Sequence, residues 1–446
     1  MKVLVIGKGG REHALCWRLN QSQSVWKLYC TIGNPGINQL AEPIPIEPTD
    51  IEGLARFAIE KKIDLTVVGP DDPLGMGVVD EFERHGLKIF GPSKAAAQIE
   101  TSKAFAKDLM REAGVPTAEY KVFDNADAAR AYVRARNRPV VVKADGLALG
   151  KGVSVPDKDT DLSESVSSAV KAVTGAIDLN WFGAAGKRIV IEDRLGGEEL
   201  SFFALCDGND AVKLGAAQDH KQIFDGDRGP NTGGMGAYSP VPQFDSALEE
   251  RIMDEVVRPT LATMRSRGAP FRGVLFVGLM IDGDRINVLE FNARFGDPEC
   301  QTLMMRFEGD LAEALLAAAE GRLDAASFKL SPNSAVTVVL ASGGYPGEYR
   351  KGLPISGLEK IEGAQASDLK VRWALRKIRV KVFQAGTAMR GGQLVTDGGR
   401  VLAASAIAGQ LKDAVDAAYQ AADMIEFEGR HMRRDIARKA LNSPRH

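Results

Sequence analysis

The residue types best suited to chemistry are concentrated in residues 288–299, which begin as an apolar strand pattern and end in a polar turn. Because side chains alternate between the two faces of a strand, Glu290 and Asn292 are predicted to point the same way, with Leu289 and Phe291 directed into the core. Two neighbouring oxygen donors on a strand suit Mg²⁺, which binds through one or two carboxylates and substrate phosphates. The segment therefore predicts a metal site that works on a phosphate.

Three charged residues, Arg294, Asp297 and Glu299, follow the predicted metal pair within one short turn. The alternative interpretation is an edge strand with a solvated polar end. A cation and two carboxylates next to a metal pair are hard to explain by packing alone, so the functional interpretation is favoured.

Residues 7–13 form a Gly-rich turn after an apolar strand and before a helical pattern. The N–H groups and the dipole of such a helix start form an anion site. A dinucleotide-binding fingerprint needs a third glycine where Glu12 stands, which weakens a nicotinamide interpretation. Lys8, Arg11 and His13 favour a phosphorylated substrate, and the alternative is a tight turn with solvated charges.

A second Gly-rich loop, residues 145–152, follows the strand pattern that ends in Lys143. It departs from the Walker A pattern, because the spacing from Gly146 to Gly150 is one residue too short and Gly152 replaces the Ser or Thr. Glycines still allow close approach to phosphate oxygens, so a different nucleotide-binding hairpin is favoured over a merely flexible one.

Two lysines and a polar loop complete the candidate site. Lys143 at the end of a buried strand is costly unless it meets an anion, and Lys103, at the start of a helical stretch, could reach the same phosphates. Residues 218–238 are long, polar and Gly-rich, and such loops inside domains are usually functional rather than simply mobile. The side chains there that could bind metal, amine or phosphate are Asp219, His220 and Lys221.

The elements that position these residues follow from apolar patterns in a chain of 446 residues, enough for about three domains. Apolar runs at residues 3–6, 65–68 and 87–90 each end in glycine and alternate with helical patterns. This predicts a parallel sheet covered by helices, with ligands beyond the carboxyl ends of its strands. Further strands are predicted at 140–143, 188–191, 201–205, 274–281, 285–291, 335–341 and 401–406, helices at 93–114, 248–267, 310–320 and 412–424, a linker at 330–334, and a solvated basic helix at 430–439.

Composition excludes several function classes. The formal net charge of −2 provides no basic field for nucleic acid or an anionic membrane. No apolar run is long enough to span a bilayer, and the N-terminal apolar run is too short for a secretory signal. The four cysteines have no zinc-site spacing, so we expect reduced thiols in a cytoplasmic protein.

Taken together, these motifs resemble the glycinamide ribonucleotide synthetase family, the phosphoribosylamine–glycine ligases of the ATP-grasp superfamily. The stretch 228–240, RGPNTGGMGAYSP, is especially specific. Departures from the family pattern stand at Lys8, Leu149, Ile223 and Gln384. The matching segments occur in family order over nearly the whole chain, at 7–15, 68–74, 143–153, 191–201, 218–240, 289–301, 342–352 and 398–402.

The resemblance implies a multidomain fold of the α/β and α+β classes. It places an N-terminal parallel α/β domain at residues 1–101, an ATP-grasp domain with a mobile lid (117–191) at 102–330, and a small C-terminal α+β domain at 331–446. It implies ligation of glycine to 5-phosphoribosylamine in de novo purine biosynthesis, through glycyl phosphate, with ATP and Mg²⁺ or Mn²⁺. Only small-molecule partners are implied, and we expect a monomer or a weak homo-oligomer.

The resemblance also assigns roles to residues. Glu290 and Asn292 would hold the metal, and Lys143, Arg294 and Asp297 would be catalytic. ATP would be bound by Lys103, Lys143, Gly146, Gly150, Lys151, Gly152, Glu192, Leu195 and Glu199. Glycine and phosphoribosylamine would be bound by Gly9, Gly10, Arg11, Asp219, His220, Lys221, Arg294 and Asp297.

Three alternatives remain open at this stage. One is another ATP-grasp carboxylate–amine ligase, distinguished by its amine and acid specificity. Another is a nicotinamide dehydrogenase, distinguished by binding of NADH. The last is a nucleotide-binding regulatory module without catalysis, distinguished by the absence of ADP release.

Overall fold

A parallel sheet forms the N-terminal part of the protein, as the apolar runs predict. The computed structural model describes residues 1–148, 152–156, 160–323, 328–362 and 368–442. The sheet order is β3-β2-β1-β4-β5. Its strands are β1 (Lys2–Ile6), β2 (Lys27–Thr31), β3 (Glu42–Ile44), β4 (Leu65–Val68) and β5 (Ile89–Phe90), and its helices are α1 (Gly10–Leu19), α2 (Ile51–Lys61), α3 (Asp71–Met76) and α4 (Val78–Arg84).

The turn between β1 and α1 depends on a glycine. Gly7 has a φ of +122°, and a Cβ there would lie 2.5 Å from Cγ of Glu12. Both faces of β1 are covered, which explains why Val3 to Ile6 form a continuous apolar run rather than an alternating one. The carboxyl ends of β1 and β4 therefore meet next to the start of α1.

The next segment contains a helix pair, followed by an antiparallel sheet of order β6-β9-β7-β8 with two further helices. The predicted helical stretch 93–114 is a helix pair that breaks at Ser102, whose side chain accepts a hydrogen bond from the N–H of Phe105 and so caps the second helix. The elements are α5 (Lys94–Thr101), α6 (Lys103–Ala113), β6 (Tyr120–Phe123), α7 (Ala126–Arg136), β7 (Val140–Ala144), β8 (Val153–Ser154), α8 (Leu162–Val173) and β9 (Ile189–Asp193).

Alternation along β7 gives this smaller sheet two different faces. Val140 and Val142 pack with α7 and α8 in an apolar cluster of their own. Val141 and Lys143 face the opposite side, toward the rest of the molecule. The smaller sheet thus has its own core on one face, and on the other face it directs Lys143 toward the rest of the molecule.

A long antiparallel sheet of order β16-β15-β10-β11-β14-β19-β23-β20 organises the remainder. Its strands are β10 (Glu198–Asp207), β11 (Ala211–Asp219), β14 (Gly236–Ser239), β15 (Arg272–Asp282), β16 (Arg285–Asn292), β19 (Ser334–Ala341), β20 (Arg379–Gln384) and β23 (Arg400–Ala408). Short ladders are formed by β12 (Gln222–Phe224) with β13 (Arg228–Asn231), β17 (Phe307–Gly309) with β18 (Phe328–Leu330), and β21 (Thr387–Arg390) with β22 (Gln393–Thr396).

Helices cover this sheet, and the sheet itself crosses the boundary predicted near residue 330. The pairing of β14 with β19 joins Gly236 to Val338 and Ser239 to Ala335. The central and C-terminal parts consequently share one hydrogen-bonded sheet. The helices are α9 (Ser246–Ile252), α10 (Arg258–Ser266), α11 (Glu299–Arg306), α12 (Leu311–Ala319), α13 (Leu358–Glu362), α14 (Asp368–Leu375), α15 (Leu411–Met424) and α16 (Arg438–Asn442).

The predicted linker at 330–334 is the short connection between β18 and β19, where the Ser331 carbonyl accepts hydrogen bonds from Arg306 Nε and Nη2 at 3.0 and 2.7 Å. One sequence prediction is wrong here. The predicted solvated helix at 430–439 is largely irregular, and Arg433 is only 1% exposed. The error arises because polar composition was interpreted as exposure, whereas buried hydrogen bonds accommodate this guanidinium.

Within the described residues, no helix has the length and apolar character needed to cross a membrane.

His13 joins the N-terminal helix α1 to strand β20. Its Nδ1 accepts the Gln384 N–H at 2.7 Å, and its ring meets Phe383 edge-on at 5.4 Å. Burial, with Lys381 nearby, lowers the pKa of His13 to about 3. The folded protein therefore holds this imidazole neutral.

We predict that His13 makes the protein less stable as the pH falls. Because the pKa in the folded state lies below the ordinary value of 6.5, this contribution is fully present above that value and is lost as the pH falls toward about 3. The loss is at most about 1.4 kcal/mol per pH unit. His13→Asn keeps an acceptor for Gln384 but cannot titrate, so its Tm should fall less between about pH 7 and pH 4.

The control is His85→Asn, which changes an exposed histidine at the end of α4. In this variant the Tm should fall more steeply between about pH 7 and pH 4 than in His13→Asn. A His13→Asn protein with the same pH dependence as the wild type would contradict the prediction.

Candidate functional site

A cleft of about 2690 Å³ lies between the smaller sheet and the long sheet, with the C-terminal part at one end. It brings together residues separated by nearly 400 positions, from Arg11 to Arg400. The predicted site residues that line it are Arg11, Lys103, Lys143, Gly152, Glu192, Leu195, Glu199, Asp219, His220, Lys221, Glu290, Asn292, Arg294 and Asp297.

The remaining predicted residues have other positions. Gly9 and Gly10 lie next to the cleft residue Asp297, since a Cβ on either would be 3.8 Å from an Asp297 carboxylate oxygen. Gly146 packs against Ala185. The other two, Gly150 and Lys151, lie outside the described residues.

A β-bulge in β16 sets the orientation of the predicted metal pair. Gly278 pairs with Glu290 while its neighbour Leu279 pairs with Val288, which leaves Leu289 as the extra residue. Val288 is fully buried, whereas Leu289 lines the cleft, so the prediction that Leu289 points into the core is wrong. The bulge also leaves the Leu289 carbonyl free to accept a hydrogen bond from Lys143 Nζ at 3.0 Å.

The Glu290 carboxylate is surrounded by cations. Burial would raise its pKa, but the positive charges of nearby lysines and Arg294 outweigh burial and hold the pKa of Glu290 below its ordinary value. Among the residues that the structure describes, none donates a hydrogen bond to this carboxylate or forms an ion pair with it. The cations responsible are Lys221, Lys143, Lys103 and Arg294.

Glu290 and Asn292 fit a hard divalent cation. Both offer oxygen donors, and both line the cleft. The described part of the chain contains no group of three or more His, Cys, Asp or Glu residues placed to hold a metal. A pair of protein donors suits Mg²⁺, which usually completes its coordination with water and substrate phosphates.

Glu192 lies between two buried lysines. It forms ion pairs with Lys143 on β7 and Lys107 on α6, and Lys107 Nζ also donates to Thr117 Oγ1 at 2.7 Å. Burial would raise the pKa of Glu192, but the two lysines hold it below its ordinary value. The sequence analysis did not identify Lys107, although its i+4 spacing from Lys103 places both on one face of α6.

Arg294 is oriented by a residue that the sequence analysis also missed. Its Nη2 pairs with Glu100 Oε1 at 2.8 Å and donates to Asn292 Oδ1 at 3.2 Å. The other Glu100 oxygen accepts the N–H of Ala293 at 2.7 Å. No local motif marks Glu100, because it lies almost 200 residues before its partner.

Asp297 has cationic partners from both ends of the chain. Arg400 Nη1 lies 3.2 Å from Asp297 Oδ1 and donates to the Gly233 carbonyl at 2.6 Å. Arg400 and Arg11 together hold the pKa of Asp297 below its ordinary value, against the opposing effect of burial. Arg400 is a further cleft residue absent from the sequence predictions.

The start of α1 is already occupied by the protein's own carboxylate. Gly9 N–H donates to Glu12 Oε2 at 2.6 Å, and Glu12 Oε1 accepts from Arg11 Nε at 2.6 Å. The side chain that replaces the third glycine of a dinucleotide fingerprint therefore fills the turn. Arg11, rather than the Gly9 N–H, is the group from this turn that lines the cleft.

The polar loop 218–238 is largely ordered into strands β12, β13 and β14. Burial lowers the pKa of His220 to about 4, so its imidazole is neutral near pH 7. Lys221 Nζ pairs with Glu199 Oε2 at 2.8 Å. Burial and the neighbouring Glu299 raise the pKa of Asp219. The loop thus offers one cation, one neutral imidazole and one weakened acid.

Comparison with known proteins identifies the family. Three family models match in order: the phosphoribosylglycinamide synthetase N domain at residues 1–100, its ATP-grasp (A) domain at 101–300 and its C domain at 335–439. The chain belongs to the phosphoribosylglycinamide synthetase family. The family resemblance predicted from the sequence is thereby confirmed.

Curated relatives cover nearly the whole chain. A phosphoribosylamine–glycine ligase of Brucella melitensis is 48% identical over 441 residues, which cover 99% of this chain and 98% of the relative. The protein of the same name from Vibrio cholerae is 46% identical over 444 residues, with 99% of each chain covered.

Solved structures agree with the family assignment. A phosphoribosylamine–glycine ligase from Thermotoga maritima matches with a TM-score of 0.81 and 31% identity, over 98% of this chain and 100% of that one. A biotin carboxylase from Campylobacter jejuni matches with a TM-score of 0.69 and 16% identity, over 97% and 93%, which shows a shared fold. The predicted fold class, an α/β N-terminal domain, an ATP-grasp domain and a C-terminal α+β domain, is confirmed.

We predict that Lys107→Met destabilises this synthetase-family protein by roughly 1.5–3 kcal/mol, because Glu192 loses one buried charged hydrogen bond while it keeps its pair with Lys143. The free energy of unfolding, measured with urea, checks this value. The Lys107→Arg variant keeps the charge, so its free energy of unfolding should fall by a smaller amount.

Lys103→Met is the matched control. Lys103 lies one turn earlier on α6 and has no ion pair with any residue that the structure describes. Its substitution should change stability by less than about 1 kcal/mol, as expected away from buried networks. Equal losses in the Met variants of Lys103 and Lys107 would contradict the role given to Lys107.

Proposed function

We propose that this protein ligates glycine to 5-phosphoribosylamine with ATP, giving glycinamide ribonucleotide, ADP and phosphate in de novo purine biosynthesis. The observation that carries the proposal is the meeting of two oxygen donors, Glu290 and Asn292, with several cations in one cleft. The names of the relatives over their full length support the choice of substrates.

The chemistry explains why the cleft contains cations and oxygen donors. Joining a carboxylate to an amine in water is unfavourable, so the carboxylate must first be activated. The glycine carboxylate attacks the γ-phosphate of ATP, which forms glycyl phosphate and releases ADP. The amine of phosphoribosylamine then displaces phosphate. Phosphoryl transfer mainly requires positioning and charge neutralisation, which this arrangement provides.

We assign the nucleotide end of the cleft to the lysines of α6 and β7. Lys103 and Lys143 contact ATP phosphates, and Lys143 exchanges its present acceptors, Glu192 and the Leu289 carbonyl, for phosphate oxygens. Glu192 and Leu195 lie by adenine. The remaining proposed ATP-binding residues are Glu199 at the ribose and Gly146, Gly150, Lys151 and Gly152 over the phosphates.

A divalent cation, Mg²⁺ or Mn²⁺, held by Glu290 and Asn292 would neutralise charge on the transferred phosphoryl group. The chain's own Arg294, fixed by Glu100, lies next to Asn292 and adds positive charge at the same place. Because Glu100 holds this guanidinium before substrate arrives, little reorganisation is needed during the reaction.

The acceptor end of the cleft combines groups of different charge. Asp297 is the carboxylate that orients the amine of phosphoribosylamine, and Arg11 and Lys221 bind anionic parts of the substrates. His220 contributes a neutral hydrogen-bonding group because of its low pKa. The other proposed contacts are made by Gly9, Gly10 and Asp219.

Closure of the smaller sheet would exclude water from the acyl phosphate, as lids of this kind do. The proposed unit that moves spans residues 117–191. We also propose that the partners of this protein are small molecules alone. Its proposed location is the cytoplasm, where the four buried free cysteines stay reduced.

Substrate dependence tests the proposal. Steady ADP release should require glycine and freshly made phosphoribosylamine together, because one cleft must hold both for turnover. The measurement is coupled ADP production with each substrate omitted in turn. Equal turnover with alanine or aspartate, or turnover without the ribosylamine, would exclude this function.

A second prediction concerns the metal pair. Glu290→Gln keeps size but removes the charge, and loss of preorganised electrostatics costs roughly 10²–10³-fold in kcat. The deficit should be largest when Mg²⁺ is limiting, measured as kcat against Mg²⁺ concentration.

The control for this variant is Glu250→Gln, an exposed glutamate on α9 that pairs with Lys213. It should retain wild-type kcat at every Mg²⁺ concentration. A Glu290→Gln enzyme that behaves like this control would show that Glu290 does not hold the metal.

A further inference from the structure

A short hairpin forms one wall of the cleft and continues directly from Lys221. We call it the cleft hairpin, residues 222–231, made of β12 and β13. Isolated two-stranded hairpins are marginally stable in water, so this one needs support from elsewhere. It is contacted by residues 431–439, which we call the C-terminal clamp.

Arg433 is the centre of the C-terminal clamp. Its Nη1 donates to the carbonyl of Gln222, at the start of β12, at 3.1 Å. Its Nη2 donates to Asp227 Oδ1, in the turn between β12 and β13, at 2.9 Å. Its Nε donates to Asp435 Oδ1 at 2.8 Å. The guanidinium is almost completely buried, so these bonds form away from water, where a lost partner is costly.

Other clamp residues reinforce the same contact. Asp435 Oδ2 accepts the Gly226 N–H at 2.8 Å, and Lys439 Nζ lies 2.6 Å from Asp227 Oδ2. The His431 Nε2 lies 2.8 Å from the Ile223 carbonyl. The turn of the hairpin is therefore held by side chains more than 200 residues away in sequence.

The base of the cleft hairpin is tied to the site. Both the N–H and the hydroxyl of Thr232 donate to the Lys221 carbonyl at 2.8 Å. Lys221 in turn pairs with Glu199 and lines the same cleft as Glu290. A hairpin that shifts would therefore move Lys221 relative to Glu290.

We infer that Arg433 is a positioning residue that acts through the cleft hairpin to hold Lys221 at the acceptor end of the cleft. The identity of the substrate affected rests on the proposed function. Arg433 itself does not line the cleft. Its effect is to hold the two strands and the turn of the hairpin in place. The C-terminal domain therefore helps to fix the position of a residue in the cleft.

Hydrogen exchange of the otherwise intact protein tests the structural step without any assay of activity. Arg433→Met should speed exchange at residues 222–231 by about tenfold or more, the effect of losing one charged hydrogen bond of ordinary strength. Exchange in β10 and β15, in the centre of the long sheet, should stay unchanged. Arg433→Lys keeps the charge but loses the forked set of donors. Its exchange rate at the cleft hairpin should therefore lie between those of the wild type and Arg433→Met.

Steady-state kinetics test the functional step. Asp227→Asn weakens the hairpin side of the clamp while leaving the Arg433–Asp435 pair, so it is the variant of choice if Arg433→Met fails to fold. In both variants the KM for glycine or phosphoribosylamine should rise by about tenfold. The KM for ATP should rise less, because the proposed phosphate-binding lysines, Lys103 and Lys143, lie on α6 and β7, and only Glu199 at the ribose is linked to the hairpin through Lys221.

Arg434→Gln is the matched control, since this neighbouring arginine is half exposed and pairs with Asp423. This variant should leave hydrogen exchange of the cleft hairpin unchanged, and it should leave the KM values for all three substrates unchanged. Unchanged exchange of the cleft hairpin in the Arg433 variants, or an equal rise in all KM values, would overturn the inference. Absence of glycine-dependent turnover in the wild type would instead exclude the proposed function, while exchange still tests the clamp.

Discussion

Three half-buried cations of the cleft each pair with a carboxylate from a different segment of the chain. Arg294 pairs with Glu100, Lys221 with Glu199, and Arg400 with Asp297. An unpaired charge taken out of water is costly, so these pairs can form only when the segments pack together. Assembly of the site and assembly of the domains are therefore the same event.

Lys143 illustrates how such pairing would serve the proposed function. Lys143 is held by Glu192 and by a carbonyl that a β-bulge exposes. Glu192 also pairs with Lys107, so it would keep a cationic partner if Lys143 turned to a phosphate. Under the proposed function, exchange of an internal carboxylate for a phosphate would keep charge balanced throughout, which would lower the cost of binding and release.

The long antiparallel sheet explains why the C-terminal part belongs to the site. Strands β14 and β19 join it to the central part by backbone hydrogen bonds. Arg400 at the start of β23 is thereby brought to the cleft, and Arg433 after α15 is brought to the hairpin that lines it. Residues that position the chemistry need not lie in the domain that performs it.

The sequence by itself determined the strands and the chemical groups. Short apolar runs that end in glycine have few alternatives to buried parallel strands, and the alternation in β16 correctly placed Glu290 and Asn292 together at the cleft. These features depend on neighbours within a few residues. Local patterns of this kind are visible in sequence because side-chain periodicity is set by backbone geometry.

The tertiary structure alone decided which distant groups meet. Nothing near Glu100, Lys107, Arg400 or Arg433 in sequence shows that each pairs with a carboxylate or guanidinium in another segment. The bulge that turned Leu289 into the cleft also depends on the partner strand β15. The physical reason is that charge pairing and strand register are properties of two segments together, and their free energy exists only after both have been brought into contact.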